Sequence, residues 1–239
     1  MQNEINKLHF KNDIFRIPNL FTLLNIVCGF FSILYVIDQN YNIASILILL
    51  GMFFDFLDGF IAKLLNKPSE FGMQLDSFAD VLTFGAAPVA LVYGSTYHLN
   101  QGLIYKISLL FYFVAIVYRL SKYNIIGTNK DGTFRGVPST FSGGFISVIA
   151  IWFPVFYSYP FSCLIFVALA VLSMSNIPYY KVKITSIYHA LILLALILAC
   201  ILIDYKYVIF YTFVVYFFSG FYNLIVDKFI KKRKAKKNN

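Results

Sequence analysis

Residues 41–93 read YNIASILILLGMFFDFLDGFIAKLLNKPSEFGMQLDSFADVLTFGAAPVALVY. Two apolar runs, about 41–62 and 73–93, flank a short polar loop, and four aspartates lie inside them: Asp55, Asp58, Asp76 and Asp80. Each run has the roughly 20-residue length that carries a helix across a bilayer. One Asp at the centre of such a helix costs about 2.5–3.5 kcal/mol on insertion. Four together need compensation, and an ionisable residue inside a span points to function with a partner to be named.

The rest of the chain repeats the apolar pattern. Runs at about 18–37, 103–121, 139–157, 159–174, 185–203 and 207–226 join the first two. Only 13% of the residues are charged, against about 25% in a soluble domain, and mean hydropathy is +0.73. In lipid each backbone polar group must be satisfied within its own segment, so the runs are expected to be helices. The expected fold is an all-α integral membrane protein, a polytopic bundle of about eight transmembrane helices. The Ser158-Tyr159-Pro160 turn between the fifth and sixth runs is its weakest boundary.

The net charge of +9 follows membrane topology and excludes nucleic acid as the expected partner. With the N-terminus inside and eight spans alternating, all 20 Lys and Arg except Lys106 and Lys206 fall on the cytoplasmic side, as the positive-inside rule requires. Both termini are then cytoplasmic. This divides the chain into a cytoplasmic segment 1–17, catalytic helices 18–157, additional transmembrane helices 158–227 and a basic cytoplasmic tail 228–239. The first run is read as a retained helix, since no small-residue cleavage site follows it. Cys28, Cys163 and Cys200 fall inside spans without metal spacing and are read as packing residues.

Helical spacing sorts the aspartates. Asp55, Asp58, Gly59 and Ala62 share one face of the second run, and Gly72, Asp76 and Asp80 share one face of the third. The second run descends to the cytoplasm and the third returns, so Asp58 and Asp76 are expected at similar depth, facing each other. Four converging carboxylates cannot all ionise without cations between them, and no basic residue on these faces is placed to neutralise them. Hard divalent ions bind oxygen ligands of this kind, and a pair of ions about 3.5–4 Å apart clamps a transferring phosphate. Gly59, Ala62 and Gly72 would let a phosphate-bearing ligand approach the backbone; close helix packing is the alternative for them.

The stretch from Asp55 to Asp80 resembles the signature D-x2-D-G-x2-A-R-x8-G-x3-D-x3-D of the CDP-alcohol phosphatidyltransferase family. All fixed positions but one match with the spacing intact; Lys63 stands where the family has arginine. Lysine keeps the charge and loses the planar two-pronged contact. The resemblance implies that Asp55, Asp58, Asp76 and Asp80 are the metal ligands, for Mg2+ or Mn2+ as two ions. It implies that Asp80 is also the general base for the acceptor hydroxyl. It further implies that Gly59, Ala62, Lys63, Ser69 and Gly72 border the CDP-lipid, as do Asn19 and Thr22 in a segment, Pro18-Asn-Leu-Phe-Thr22, similar to the family's Pro-Asn-x2-Thr. Helix capping is the other reading of that segment.

Three further stretches resemble the phosphatidylserine synthases within the family: Leu75-Asp-Ser-Phe-Ala-Asp-Val-Leu-Thr-Phe-Gly-Ala-Ala-Pro88, Arg119-Leu-Ser-Lys-Tyr-Asn124 and Phe134-Arg-Gly-Val-Pro-Ser139. The reaction this implies converts CDP-diacylglycerol and L-serine to phosphatidylserine and CMP, directly or through an enzyme-bound intermediate, at the cytoplasmic face of the inner or plasma membrane. A homodimer among membrane lipids is implied with it. Arg119 and Arg135 could hold the carboxylate of serine by paired hydrogen bonds; with Lys122 they also serve as topology anchors. Glycerol 3-phosphate or inositol phosphate as acceptor keeps the same chemistry. A cation transporter is the alternative from another class, but it would spread acidic residues through the bilayer depth.

Overall fold

The computed structural model describes residues 17–65, 69–97, 102–127, 134–152, 159–179, 207, 210–220 and 222. They are almost entirely helical. Helix α1 (Ile17–Ile37) and α2 (Tyr41–Leu64) form an antiparallel pair. The turn between them passes through Gln39, held at φ 58°, while the amide of Asn40 closes on the Tyr35 carbonyl. Helix α3 is a long rod: an α-helical first part (Glu70–Asp80), a π-helical stretch (Val81–Ala86) and an α-helical end (Ala87–Ser95). Helix α4 (Leu103–Ile126) follows, then α5 (Ser139–Trp152), α6 (Tyr159–Met174) and α7 (Phe210–Gly220).

Helix α1 has apolar residues outside and polar ones inside. Its buried residues include Asn19, Thr22, Asn25, Gly29 and Ser32, spaced by three and four along one face. Leu20, Leu23, Val27, Phe30 and Phe31 point outward and are exposed. A helix in water places these classes the other way round. With hydrocarbon as solvent, outward Leu and Phe cost nothing, and small or polar side chains take the helix–helix contacts.

Among the described residues four helical segments are long and apolar enough to cross a membrane: Ile17–Ile37, Tyr41–Leu64, Glu70–Ser95 and Leu103–Ile126. They coincide with the first four expected spans. Shorter apolar helices occupy the places of the fifth, sixth and eighth; of the expected Ser158-Tyr159-Pro160 turn, Tyr159 and Pro160 begin α6 instead, and 153–158 lie outside the described residues. The seventh, 185–203, the N-terminal segment 1–16 and the basic tail lie outside the described residues.

Two features have no precedent in the apolar pattern. Phe134–Arg135 (β1) pairs antiparallel with Pro178–Tyr179 (β2), Phe134 opposite Tyr179 and Arg135 opposite Pro178. Gly136, at φ 74°, turns the chain out of β1 against the carbonyls of Leu172 and Ser173, where a Cβ would collide. The second feature is the π-helical stretch directly after Asp80. It is anchored from two sides: the Tyr112 hydroxyl donates to its Phe84 carbonyl at 2.8 Å, and its Thr83 hydroxyl donates to the Asn25 carbonyl of α1 at 2.9 Å. Gly29 and Gly51 approach Thr83 so closely that a Cβ on either would overlap it. Such π insertions collect at functional sites because they re-aim side chains relative to an ideal helix. Beyond it, Phe84, Leu91, Tyr112, Ile116 and Phe166 form the main apolar core.

Candidate active site

The aspartates come from the second half of α2 and the first half of α3. Ser69 starts α3 as an N-cap, accepting the Gly72 amide at 3.0 Å, a bond that satisfies one of the helix's unpaired N–H groups. From that start, Asp76 and Asp80 lie one turn apart on the side facing α2. Oxygens of Asp55, Asp76 and Asp80 lie within 4.8 Å of one another. Asp80 is buried, while Asp55 and Asp76 are partly accessible.

Asp58 lies outside this trio and is held by α1. The Thr22 hydroxyl donates to Asp58 Oδ2 at 2.8 Å, with a longer contact of 3.3 Å to the Pro18 carbonyl. Asn19, also buried, abuts Gly72: a Cβ there would sit 2.9 Å from Asn19 Oδ1 and 3.0 Å from Ser69 Oγ. Gly72 is therefore small because α1 packs against the start of α3. Gly59 differs, because a Cβ there would meet nothing within 4 Å among the described residues. Close packing explains Gly72; it does not explain Gly59. Ala62 is partly buried and Lys63 is exposed in the last turn of α2, where a cation also complements the helix dipole.

On the far side of Asp80 the fold brings in α4 and α5. Ser139, buried at the head of α5, donates to Asp80 Oδ2 at 2.8 Å. Arg119, buried on α4, donates from Nη1 to Ser139 Oγ at 3.1 Å. Asn124 Nδ2 donates to Ser77 Oγ at 2.8 Å, tying the end of α4 to α3. Lys122 turns away and donates to Asn176 Oδ1 at 3.1 Å.

Several buried polar atoms have no partner among the described residues: Asp76 Oδ1, Asp80 Oδ1, Arg119 Nε and Arg135 Nε. A buried polar atom left unbonded costs about 1–3 kcal/mol, so such a group marks where a ligand atom belongs. Of these, the acceptors belong to α3 and the donors to α4 and β1; Asn25 of α1 and Ser45 of α2 also carry unpaired buried atoms. Clustered carboxylate oxygens suit a hard divalent cation, and guanidinium N–H groups suit an anion.

Sequence reasoning gave Ser139 no role of its own, and it left the C-terminal helices out of the site. Tyr216 of α7 lies close enough to Arg119 for the two to interact electrostatically. Its ring packs on Phe141, centroids 4.5 Å apart, and on Tyr179, 5.7 Å apart. No spacing rule connects residues so distant in the chain; only the Phe134-to-Ser139 stretch carried a signal.

The profile of the family described as CDP-alcohol phosphatidyltransferase matches residues 15–218. The chain is 40% identical over 127 residues to the CDP-diacylglycerol–serine O-phosphatidyltransferase of Bacillus subtilis (strain 168), covering 53% of this chain and 71% of that one. It is 33% identical over 168 residues to the archaetidylserine synthase of Methanothermobacter thermautotrophicus, covering 70% of each. A Helicobacter pylori CDP-diacylglycerol–serine O-phosphatidyltransferase is 36% identical over 129 residues, 53% of this chain and 54% of its own. The matched region runs from the start of α1 into α7 and so takes in every element that lines the aspartates. The chain belongs to the CDP-alcohol phosphatidyltransferase family.

Proposed function

We propose that the protein transfers the phosphatidyl group of CDP-diacylglycerol to the hydroxyl of L-serine, giving phosphatidylserine and CMP. The observation that carries this reading is that buried carboxylate oxygens of Asp76 and Asp80 have no partner among the described residues, while the Arg119 guanidinium stands behind them, joined to Asp80 through Ser139. The carboxylates suit divalent ions that would meet the diphosphate end of the donor, and the guanidinium suits the carboxylate of an amino-acid acceptor. The serine named in the relatives from Bacillus subtilis and Helicobacter pylori agrees with such an acceptor.

Asp55, Asp58, Asp76 and Asp80 would hold Mg2+ or Mn2+, two ions in all, whose chemistry is to neutralise the diphosphate and the departing CMP. In net terms the serine oxygen replaces the CMP oxygen on the phosphatidyl phosphorus, and the hydroxyl proton passes to Asp80. A base so placed contributes about 10²–10⁴-fold. Thr22 orients Asp58 through its hydrogen bond. Gly59, beside open space, admits the donor phosphates with Ala62 and Lys63, while Asn19, Ser69 and Gly72 shape the nucleotide end. The acyl chains remain in lipid while the water-soluble CMP and serine exchange at the cytoplasmic face. About eight spans, both termini inside and a homodimer complete the proposal; the distribution of Lys and Arg supports the topology.

Purified protein in detergent, given CDP-diacylglycerol and one alcohol at a time with or without Mg2+ or Mn2+, tests the reading by CMP release. Turnover with serine that EDTA abolishes is the expected result. Release only with glycerol 3-phosphate or inositol phosphate would refute the serine assignment, and release unaffected by metal removal would refute the role of the aspartates.

A further inference from the structure

Ser139 sits between two groups of fixed hydrogen-bonding character. Arg119 can only donate, and its Nη1 lies 3.1 Å from Ser139 Oγ. The serine oxygen must accept that bond, so its single proton points the other way, toward Asp80 Oδ2 at 2.8 Å. The contact at Asp80 therefore has one sense: Oδ2 accepts. Oδ1 of the same carboxylate has no partner among the described residues, and the neighbouring carboxylates of Asp55 and Asp76 lie within 4.8 Å. Burial of Ser139 and Arg119 (2% and 7% exposed) keeps water from competing for either bond.

We infer that Ser139 is a positioning residue: its hydroxyl, polarised by Arg119, pins Oδ2 of Asp80 and reserves Oδ1 for the reacting centre. This rests on the reading of Asp80 as the base in the proposed transfer. Ser139 touches no substrate in this scheme. Its effect reaches the reaction through the rotation of one carboxylate, because a carboxylate with one oxygen bonded to a fixed donor loses its freedom about the Cβ–Cγ bond. The location supports the same role. Ser139 begins α5 directly after Pro138, on the segment that leaves β1, so pairing of β1 with β2 and the tight turn at Gly136 set where the hydroxyl lies.

The test compares Ser139→Ala, Ser139→Cys and Ser139→Thr with the unaltered enzyme in detergent. A hydrogen bond to a charged group is worth a factor of about 10–100. Ser139→Ala and Ser139→Cys should lower kcat by that factor. KM for CDP-diacylglycerol should stay within about twofold, since the donor-binding groups are intact. Ser139→Thr keeps the hydroxyl and should recover kcat to within about threefold. Binding of CDP-diacylglycerol with Mn2+ in the absence of serine, followed by titration calorimetry, should be unchanged in all three. Ala and Cys variants with wild-type kcat would overturn the inference, as would a Thr variant as slow as Ala. Weakened binding in step with kcat would also overturn it, since that marks a general loss of structure. Failure of the unaltered enzyme to release CMP with serine is a different result, and counts against the proposed reaction itself.

Discussion

Gly59 and Gly72 occupy neighbouring places in one motif, yet the structure predicts opposite consequences for adding a methyl group to each. At Gly72 the new Cβ would lie 2.9 Å from Asn19 Oδ1 and 3.0 Å from Ser69 Oγ, contacts that require a buried Asn or the α3 cap to move. Overpacking of this kind costs about 1–3 kcal/mol, offset by about 1 kcal/mol from replacing a helical glycine. Gly72→Ala should therefore lose up to about 2 kcal/mol of stability. At Gly59 nothing lies within 4 Å among the described residues, so Gly59→Ala should keep or gain stability. If the open space receives the donor phosphates, the same 1–3 kcal/mol is charged to binding instead, which raises KM for CDP-diacylglycerol about 5- to 150-fold. Size-exclusion profiles after stepwise heating in detergent report the first quantity, and CMP release against donor concentration the second. A Gly59→Ala enzyme with unaltered KM, or one as heat-sensitive as Gly72→Ala, would refute the assignment of that space to the substrate.

Three other outcomes follow from the hydrogen bonds and charges described. Asp80→Asn preserves shape and can still accept from Ser139, so the protein should remain monodisperse while CMP release falls at least about 10²-fold; near-normal turnover would exclude Asp80 as the base. Thr22→Val removes the donor to buried Asp58 and leaves that oxygen unbonded, at about 1.5–3 kcal/mol. It should weaken Mn2+ binding measured by electron paramagnetic resonance or lower thermal stability, and no change in either would disprove the role of Thr22. Arg119→Lys keeps the charge and loses the planar fork, so KM for serine should rise about tenfold or more with little change in KM for CDP-diacylglycerol; equal effects on both would place Arg119 outside the acceptor pocket.

Some of this was written plainly along the chain. Apolar length marked the four helices that, among the described residues, are long enough to cross a membrane, because the hydrocarbon thickness sets how many residues a span needs and leaves little latitude. The steps of three and four among Asp55, Asp58, Asp76 and Asp80 put each pair on one side of its helix, because an α-helix repeats every 3.6 residues. That regularity stops at Asp80, where the π-helical stretch begins, and at every contact between elements. Asp58, outside the trio of Asp55, Asp76 and Asp80, is bonded by Thr22, 36 positions earlier. Arg119 and Ser139 could be noticed as members of motifs, but that one bonds Asp80 through the other needs α4 and α5 brought together.

The primary structure of this protein by itself determined the solvent it lives in, the first four helices long and apolar enough to cross it and the faces that carry acid, since each depends on local period and composition. Only the tertiary structure decided which carboxylate oxygens remain unpaired, which glycine is packed and which stands beside open space, and that Tyr216 of α7 lies within electrostatic range of Arg119. Those are properties of atoms a few ångströms apart and up to some hundred residues distant in the chain, and no repeat along one helix encodes a distance to another.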